Sequence, residues 1–597
     1  MGLFSKESQS GAIPTPDPSQ YQSDSETSVI KDGELAYVRV VGGNGASGYQ
    51  EAAGAPVETK SPLGYHVNWV AVIFLNVNMM IGTGIFSAPG YILGSTGSVG
   101  LALIYWVIGF LFALAGLAVY LEYVSYFPSR SGSIVVYLEQ SYPRPKHLFP
   151  VTFAMQSILL SFSSSNAIVL SRYLWRIVGR APTEWEDKGV AVASYTLAVI
   201  CVIAHNKYSL WASNVIGALK ITLLIFISIS GFVILGGGIS RVENPGINFQ
   251  NGFVGTTDSG YNLSQAMVNI SFTYAGWQNA FNVANEIKNP VPTLKKHATS
   301  SLLFVFILYF LCNIAYFAAV QKEEFAAGGE IAAAIFFRTA FGTAAESALN
   351  FCVLLSSFGN LLVVLIGQSR QLREVGRQGV LPWTKFWVST KPFGTPLGPY
   401  LFKWALTVIM IIGPPQGDAF QFIISLNTYP DAVFSAAVAV GIFLIRRRRA
   451  RSGTPRSEFR AWYIAVLFYL AIQIYILVMP WFPPEGGIYA GSVSFFYATY
   501  CLVGIAVIVI CVAYYYVWMY WLPKRGNYAI RSTIAVVDDG SGATAHRIVK
   551  VPNAELAEWD ATHDEHGRLL DQGRYGVTIE EQLGEKGTSP SESISKV

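Results

Sequence analysis

The residues with the most chemical promise sit in two apolar stretches that would otherwise pass for plain helices. The first holds Ile81-Gly82-Thr83-Gly84-Ile85-Phe86, then Pro89-Gly90. Glycines two apart and then a proline weaken a helix. Unwound backbone in hydrocarbon is tolerated only where its polar groups line a cavity or meet a ligand. A helix restarting at Thr83 and Gly84 offers free amides at a positive dipole end, which suits a carboxylate. The second stretch holds Ser271-Phe272-Thr273-Tyr274-Ala275-Gly276-Trp277, then Asn279, Asn282 and Glu286-Ile287-Lys288-Asn289-Pro290. Carbonyls laid bare around Thr273, Tyr274 and Ala275 would accept hydrogen bonds from an ammonium. A carboxylate site facing an ammonium site is the least that can hold a zwitterion. Taken singly, either break also reads as close helix packing, because glycine is common in membrane helices. The pair, five helices apart, points to an inverted repeat with its site at the interface.

Lys220 is a third candidate. It lies about ten residues inside an apolar run, where a lysine costs roughly 2.5–3.5 kcal/mol and must face the bundle and find a partner. A buried lysine is also a candidate for proton exchange. The bland reading, a lysine snorkelling to the interface, needs a position near a helix end.

Runs of about 18–25 apolar residues are needed to position such breaks in a membrane. About twelve are found, at 68–93, 100–126, 148–170, 189–205, 210–236, 263–285, 299–320, 345–368, 400–413, 419–445, 461–481 and 492–521. The ninth is short. The runs are continuous, so a β-barrel, which alternates apolar and polar residues, is excluded. The expectation is an all-α polytopic membrane protein with a 5+5 inverted repeat, broken helices 1 and 6, and two extra helices. Composition agrees: of 597 residues 52% are hydrophobic and only 13% charged, against about 25% charged in soluble domains.

Residues 1–62 read as a disordered cytoplasmic tail rich in Ser, Gly, Pro and Asp, 63–525 as the membrane domain, and 526–597 as a second cytoplasmic tail. With both termini inside, the inner loops hold about 19 Lys and Arg and the outer loops about 7. The run Arg446-Arg447-Arg448-Arg449 is the strongest signal and reads as a topological anchor. A net charge of +4 and the lack of a basic-aromatic stripe argue against nucleic acid. All five cysteines lie inside apolar runs, so no disulfide, metal or cofactor site is expected. No nucleophile triad or phosphate loop points to an enzyme, and polarity concentrated at two breaks argues against a channel.

These residues resemble the L-type branch of the amino acid–polyamine–organocation superfamily, most of all the fungal high-affinity methionine permeases. The likeness spans about residues 63–530 and includes Gly97-Ser98-Val99-Gly100, Gly376-Arg377-Gln378-Gly379-Val380-Leu381-Pro382 and Leu522-Pro523-Lys524. It implies that the backbone of Ile81, Gly82, Thr83 and Gly84 binds the substrate carboxylate. It also makes Phe272 an aromatic gate and gives the carbonyls of Thr273, Tyr274 and Ala275 to the amine. Lys220 would stand in for a bound sodium ion beside the first break. Ala275 replaces a common glycine, and Ser131-Gly132-Ser133-Ile134 departs from the usual inner-gate sequence. The implied activity is proton-coupled import of methionine or another large neutral amino acid across the plasma membrane by alternating access. An amino acid sensor and a general exchanger are the alternatives. The loop Ser171–Lys188 has no cysteine, so no disulfide-linked heavy chain is expected.

Overall fold

The computed structural model describes residues 29–32, 35–51, 54, 57, 65, 67–563 and 567, with gaps at 205, 378, 382, 390–394, 416–417, 485, 490, 492 and 537–543. The disorder expected of 1–28 and 568–597 lies outside the described residues, as do Gln378 and Pro382.

The first span is split into α1 (Trp69–Met80) and α2 (Gly84–Thr96), which meet at a 45° bend. The second is α3 (Val99–Tyr126), followed by the short α4 (Ile134–Ser141). The third is divided into α5 (Leu148–Leu159) and α6 (Ser164–Val178); α7 (Glu184–Ala204) and α8 (Asn206–Leu235) are the fourth and fifth. The sixth is α9 (Gly260–Tyr274) continued by a 3₁₀ segment, Asn279–Glu286. Then come α10 (Pro290–Ala319), short α11 (Lys322–Ala327) and α12 (Ala332–Phe341), α13 (Thr343–Arg377), short α14 (Thr384–Val388), α15 (Leu397–Ile412), α16 (Ala419–Ser452), α17 (Tyr463–Val478) and α18 (Thr499–Tyr516). A π-helical turn leads from α18 into α19 (Leu522–Gly526).

Among the described residues nine helical stretches are long and apolar enough to cross a membrane, and α1 with α2 makes a tenth. The interrupted sixth and the 16-residue α15 complete the twelve expected. Exposed apolar surface is plain on α8, where Trp211, Val215, Ile229 and Phe232 are each more than half exposed. A helix can show such a face to lipid because its backbone is satisfied internally.

Three features differ from the sequence reading. The third span is unwound at Leu160–Ser163. Serines at 161, 163, 164 and 165 compete with the helical ladder, and the Ser163 amide is captured at 3.1 Å by Thr407 Oγ1 of α15. The N-terminal tail is not wholly disordered: β1 (Val29–Asp32), β2 (Leu35–Val41) and β3 (Ser47–Glu51) form an antiparallel sheet in that order. The sheet docks on the basic end of the bundle. Arg449 Nη2 donates to Tyr49 O at 2.9 Å, Arg130 Nη1 to Gln50 Oε1 at 2.9 Å, and the Glu51 amide to Gln140 Oε1 at 2.9 Å. The C-terminal segment likewise forms a hairpin, β4 (Tyr528–Val536) with β5 (Thr544–Pro552), and α20 (Leu556–Thr562).

The Arg446 run is therefore more than an anchor. Arg446 forms a bidentate pair with Glu122 of α3 (Nε–Oε1 2.8 Å, Nη2–Oε2 2.6 Å). The same carboxylate accepts from Tyr126 Oη and the Ala461 amide, each at 2.8 Å. Arg448 donates to the carbonyls of Gln140 and Ser141, both at 2.8 Å, at the end of α4. A carboxylate this deeply buried is stable only when donors meet its oxygens, and each oxygen of Glu122 accepts two hydrogen bonds.

Candidate functional site

A helix that stops inside a bundle strands its last four carbonyls, and buried carbonyls need donors. At the end of α1 each has one. Val77 O accepts from the Ile81 amide at 2.8 Å. Asn78 O accepts from Lys220 Nζ at 3.2 Å and Asn360 Nδ2 at 3.1 Å. Met79 O accepts from the same Asn360 nitrogen at 2.9 Å. Met80 O takes the Gly82 amide at 2.8 Å and Tyr309 Oη at 2.6 Å. Lys220 also reaches Ile81 O at 2.7 Å. Three helices, α8, α10 and α13, thus cap the break with side chains. Its amide side is left to α2, where the first N–H groups of a helix have no intrahelical acceptor.

A cavity of about 350 Å³ opens beside this end. Gly82, Thr83 and Gly84 line it, as do Phe272 and Ala275 from the second break. The second break has its own cause. Ala275 turns extended (ψ 138°), and Gly276 takes φ +114°, where an L side chain is strained. A Cβ on Gly276 would lie 2.7 Å from Met79 Cγ, so the two breaks touch. Gly84 is similarly close to Thr273, whose Cα a Cβ would meet at 3.0 Å. Beyond Gly276 the chain winds as 3₁₀ because its asparagine and amides bind α1: Asn279 Nδ2 donates to Leu75 O at 3.2 Å, and the Ala280 amide to Asn76 Oδ1 at 2.9 Å.

The other expected site residues stand behind the cavity wall. Ile81 is fully buried with its carbonyl on Lys220. Thr273 caps back onto Asn269 O at 2.8 Å, and its carbonyl lies 3.4 Å from Tyr309 Oη. Tyr274 turns away and donates to Trp106 O at 3.1 Å. Lys220 is also buried, with its ammonium on Asn78 O and Ile81 O, and is not among the residues that line the cavity. Phe272 packs edge-on against Phe420 of α16, which stacks on Tyr91 of α2 (centroids 6.0 and 5.8 Å apart). Toward the basic end, Ser133 Oγ donates to Asn282 Oδ1 at 2.6 Å and the Gly132 amide to Asn282 O at 3.2 Å. The unusual Ser131–Ile134 segment therefore does meet the sixth span.

Several groups escaped the sequence reading. Thr83 Oγ1 donates to Asn166 Oδ1 at 3.0 Å, and Asn166 Nδ2 to Asn360 Oδ1 at 2.9 Å, a chain that ends on the carbonyls of α1. Lys403 of α15 is fully buried and donates to Gln368 Oε1, itself on the cavity wall. Asp431 of α16 is exposed into the cavity. A lone lysine and a lone aspartate inside apolar runs were the available signal for the last two.

Fold and site together define a polytopic helical membrane protein whose interrupted spans wall a shared polar cavity. The chain belongs to the amino acid permease family, whose model matches residues 67–519. It is 32% identical over 534 residues to the high-affinity methionine permease of Saccharomyces cerevisiae, covering 89% of this chain and 92% of that one. The low-affinity methionine permease of the same yeast is 29% identical, over 80% of this chain and 87% of the relative. The mouse b(0,+)-type amino acid transporter 1 is 26% identical, over 64% and 76%. The protein is an amino acid transporter of the L-type kind and not an enzyme.

Proposed function

We propose that this transporter imports methionine or a related large neutral amino acid across the plasma membrane, by alternating access and with a proton. One observation carries the reading. The carbonyls at the end of α1 are already taken by Lys220, Asn360 and Tyr309, so the amide end of α2 at Thr83 and Gly84 is what the cavity wall presents. That end takes the substrate carboxylate, with the Ile81 and Gly82 backbone shaping the turn. The ammonium goes to the second break, where Phe272 and Ala275 line the cavity and the carbonyls of Thr273 and Tyr274 stand behind them. Methionine is favoured by the two yeast permeases among the relatives.

Lys220 acts as the coupling residue of the first break. Its ammonium occupies the place of a cation between Asn78 O and Ile81 O and so ties the substrate site to α8. Both termini lie in the cytoplasm, on the side of the arginine run, and the chain works without a disulfide-linked partner.

The test is radiolabelled methionine uptake in a transport-deficient host, with the twenty amino acids as competitors, at two pH values and with or without sodium. The expected result is inhibition by large neutral amino acids, faster uptake at the lower pH, and no sodium requirement. Lys220→Ala, present at the cell surface, is expected to lose uptake. Wild-type uptake by that variant, with unchanged pH dependence, overturns the role given to the lysine.

A further inference from the structure

Asp431 is a carboxylate in the middle of α16, just after Pro430, whose missing N–H loosens the helix there. It faces the same cavity as the two breaks. The groups around it are neutral. Ser435, one turn along, presents its hydroxyl. Tyr120 of α3 and Tyr469 and Gln473 of α17 line the same cavity. The charged groups on the other helices packed against α16 are engaged elsewhere. Glu122 holds Arg446, and Glu139 of α4 holds Arg130 at 2.9 Å. Arg172 and Arg176 of α6 hold Asp187 and Glu346 at 3.2 and 2.7 Å. From α9 come amides and hydroxyls. Among the described residues no cationic side chain pairs with Asp431. A carboxylate that meets water through an intramembrane cavity can take and give up a proton there, and such a carboxylate marks an ion or proton path.

We propose that Asp431 is the group that binds and releases the proton carried with the substrate. This rests on the proton-coupled reading above and places the proton on a residue other than Lys220. On loading, a carboxylate oxygen takes H⁺ from water in the cavity. On unloading, the O–H bond breaks and the proton returns to water on the other side, with no electron transfer. The carboxyl group shares its cavity with the substrate. It is also linked to the second break, because Tyr120 stands edge-on to Trp277, with centroids 4.9 Å apart. Proton occupancy at Asp431 and the geometry at Gly276–Trp277 therefore act on each other through two rings in contact.

The experiment uses the full chain in proteoliposomes with a pH-sensitive dye inside, measuring protons and labelled methionine taken up together. Asp431→Asn is expected to lose methionine-driven proton uptake at least tenfold and to flatten the pH dependence of uptake, whereas Asp431→Glu keeps both. Ser435→Ala, a milder change, is expected to move the pH midpoint by about one unit, the size of one hydrogen bond to a charged group. It decides the matter if Asp431→Asn does not reach the membrane. Wild-type proton uptake that persists in Asp431→Asn, or an unmoved midpoint in Ser435→Ala, overturns the assignment. Wild-type methionine uptake with no proton at all overturns the coupled reading itself, and the two failures are told apart by the wild-type trace alone.

Discussion

Asn360, which lines the cavity and caps α1, should be the most sensitive polar residue at the first break. Its amide donates to Asn78 O and Met79 O and accepts from Asn166, which in turn receives Thr83. In Asn360→Ala, Asn78 O keeps Lys220, but Met79 O and Asn166 Nδ2 lose these partners. Each buried orphan costs about 1–3 kcal/mol, so the change removes about 2–6 kcal/mol. If about 1 kcal/mol of that is felt as distortion of the break, KM for methionine rises about fivefold. Thermal unfolding in detergent reads the stability and labelled uptake reads the site. A useful contrast lies on the same helix. Asn350 is buried, and neither of its amide atoms has a hydrogen-bond partner among the described residues, so Asn350→Ala is expected to leave Tm unchanged or higher. An Asn360→Ala protein with wild-type Tm and KM would refute the carbonyl accounting on which the site is built.

Gly276→Ala adds a Cβ at a left-handed φ and 2.7 Å from Met79 Cγ. About 1–3 kcal/mol of strain at the contact between the breaks is expected to remove uptake while the protein still reaches the membrane; normal uptake counts against the contact. Glu122→Gln leaves Arg446 half-paired and is expected to destabilise by about 3–5 kcal/mol, seen as a fall in Tm. The double change Glu122→Gln with Arg446→Met should recover part of that loss, and no recovery means the pair matters for more than charge. His147, just before α5, is held down to about 4 by burial and by the charge of Lys146. Its folded value lies below the ordinary 6.5, so the unfolded chain binds the proton more readily. Stability then rises with pH between about 4 and 6.5. His147→Gln is expected to flatten Tm against pH in that window, and an unchanged slope refutes it.

The first break was legible because Gly82-Thr83-Gly84 concentrates weak helix formers within three positions. Lys220 was legible because a charge inside an apolar run has few excuses. Their partners were not. Asn360 and Tyr309 lie far along the chain from α1, and a single asparagine or tyrosine in a membrane helix carries no mark of what it will bond. The third break escaped for a similar reason. Serines are ordinary in such helices, and the unwinding at Leu160–Ser163 depends on Thr407 arriving from α15. The N-terminal sheet was hidden by its composition, although Leu35–Val41, with its β-branched residues, is the kind of short segment that forms a strand once Arg449 and Arg130 supply a place to dock.

The side-chain caps on α1 also make a mechanical statement. One leaf of the first hinge is riveted to α8, α10 and α13 through Lys220, Tyr309 and Asn360. The other leaf, α2, leans on α9 and α16 through Gly84 and Tyr91. In the alternating-access cycle proposed above, α1 therefore moves with its three companions and the pivot falls at Ile81–Thr83, while the contacts of Gly276 with Met79 and of Tyr309 with Thr273 O tie that motion to the second break.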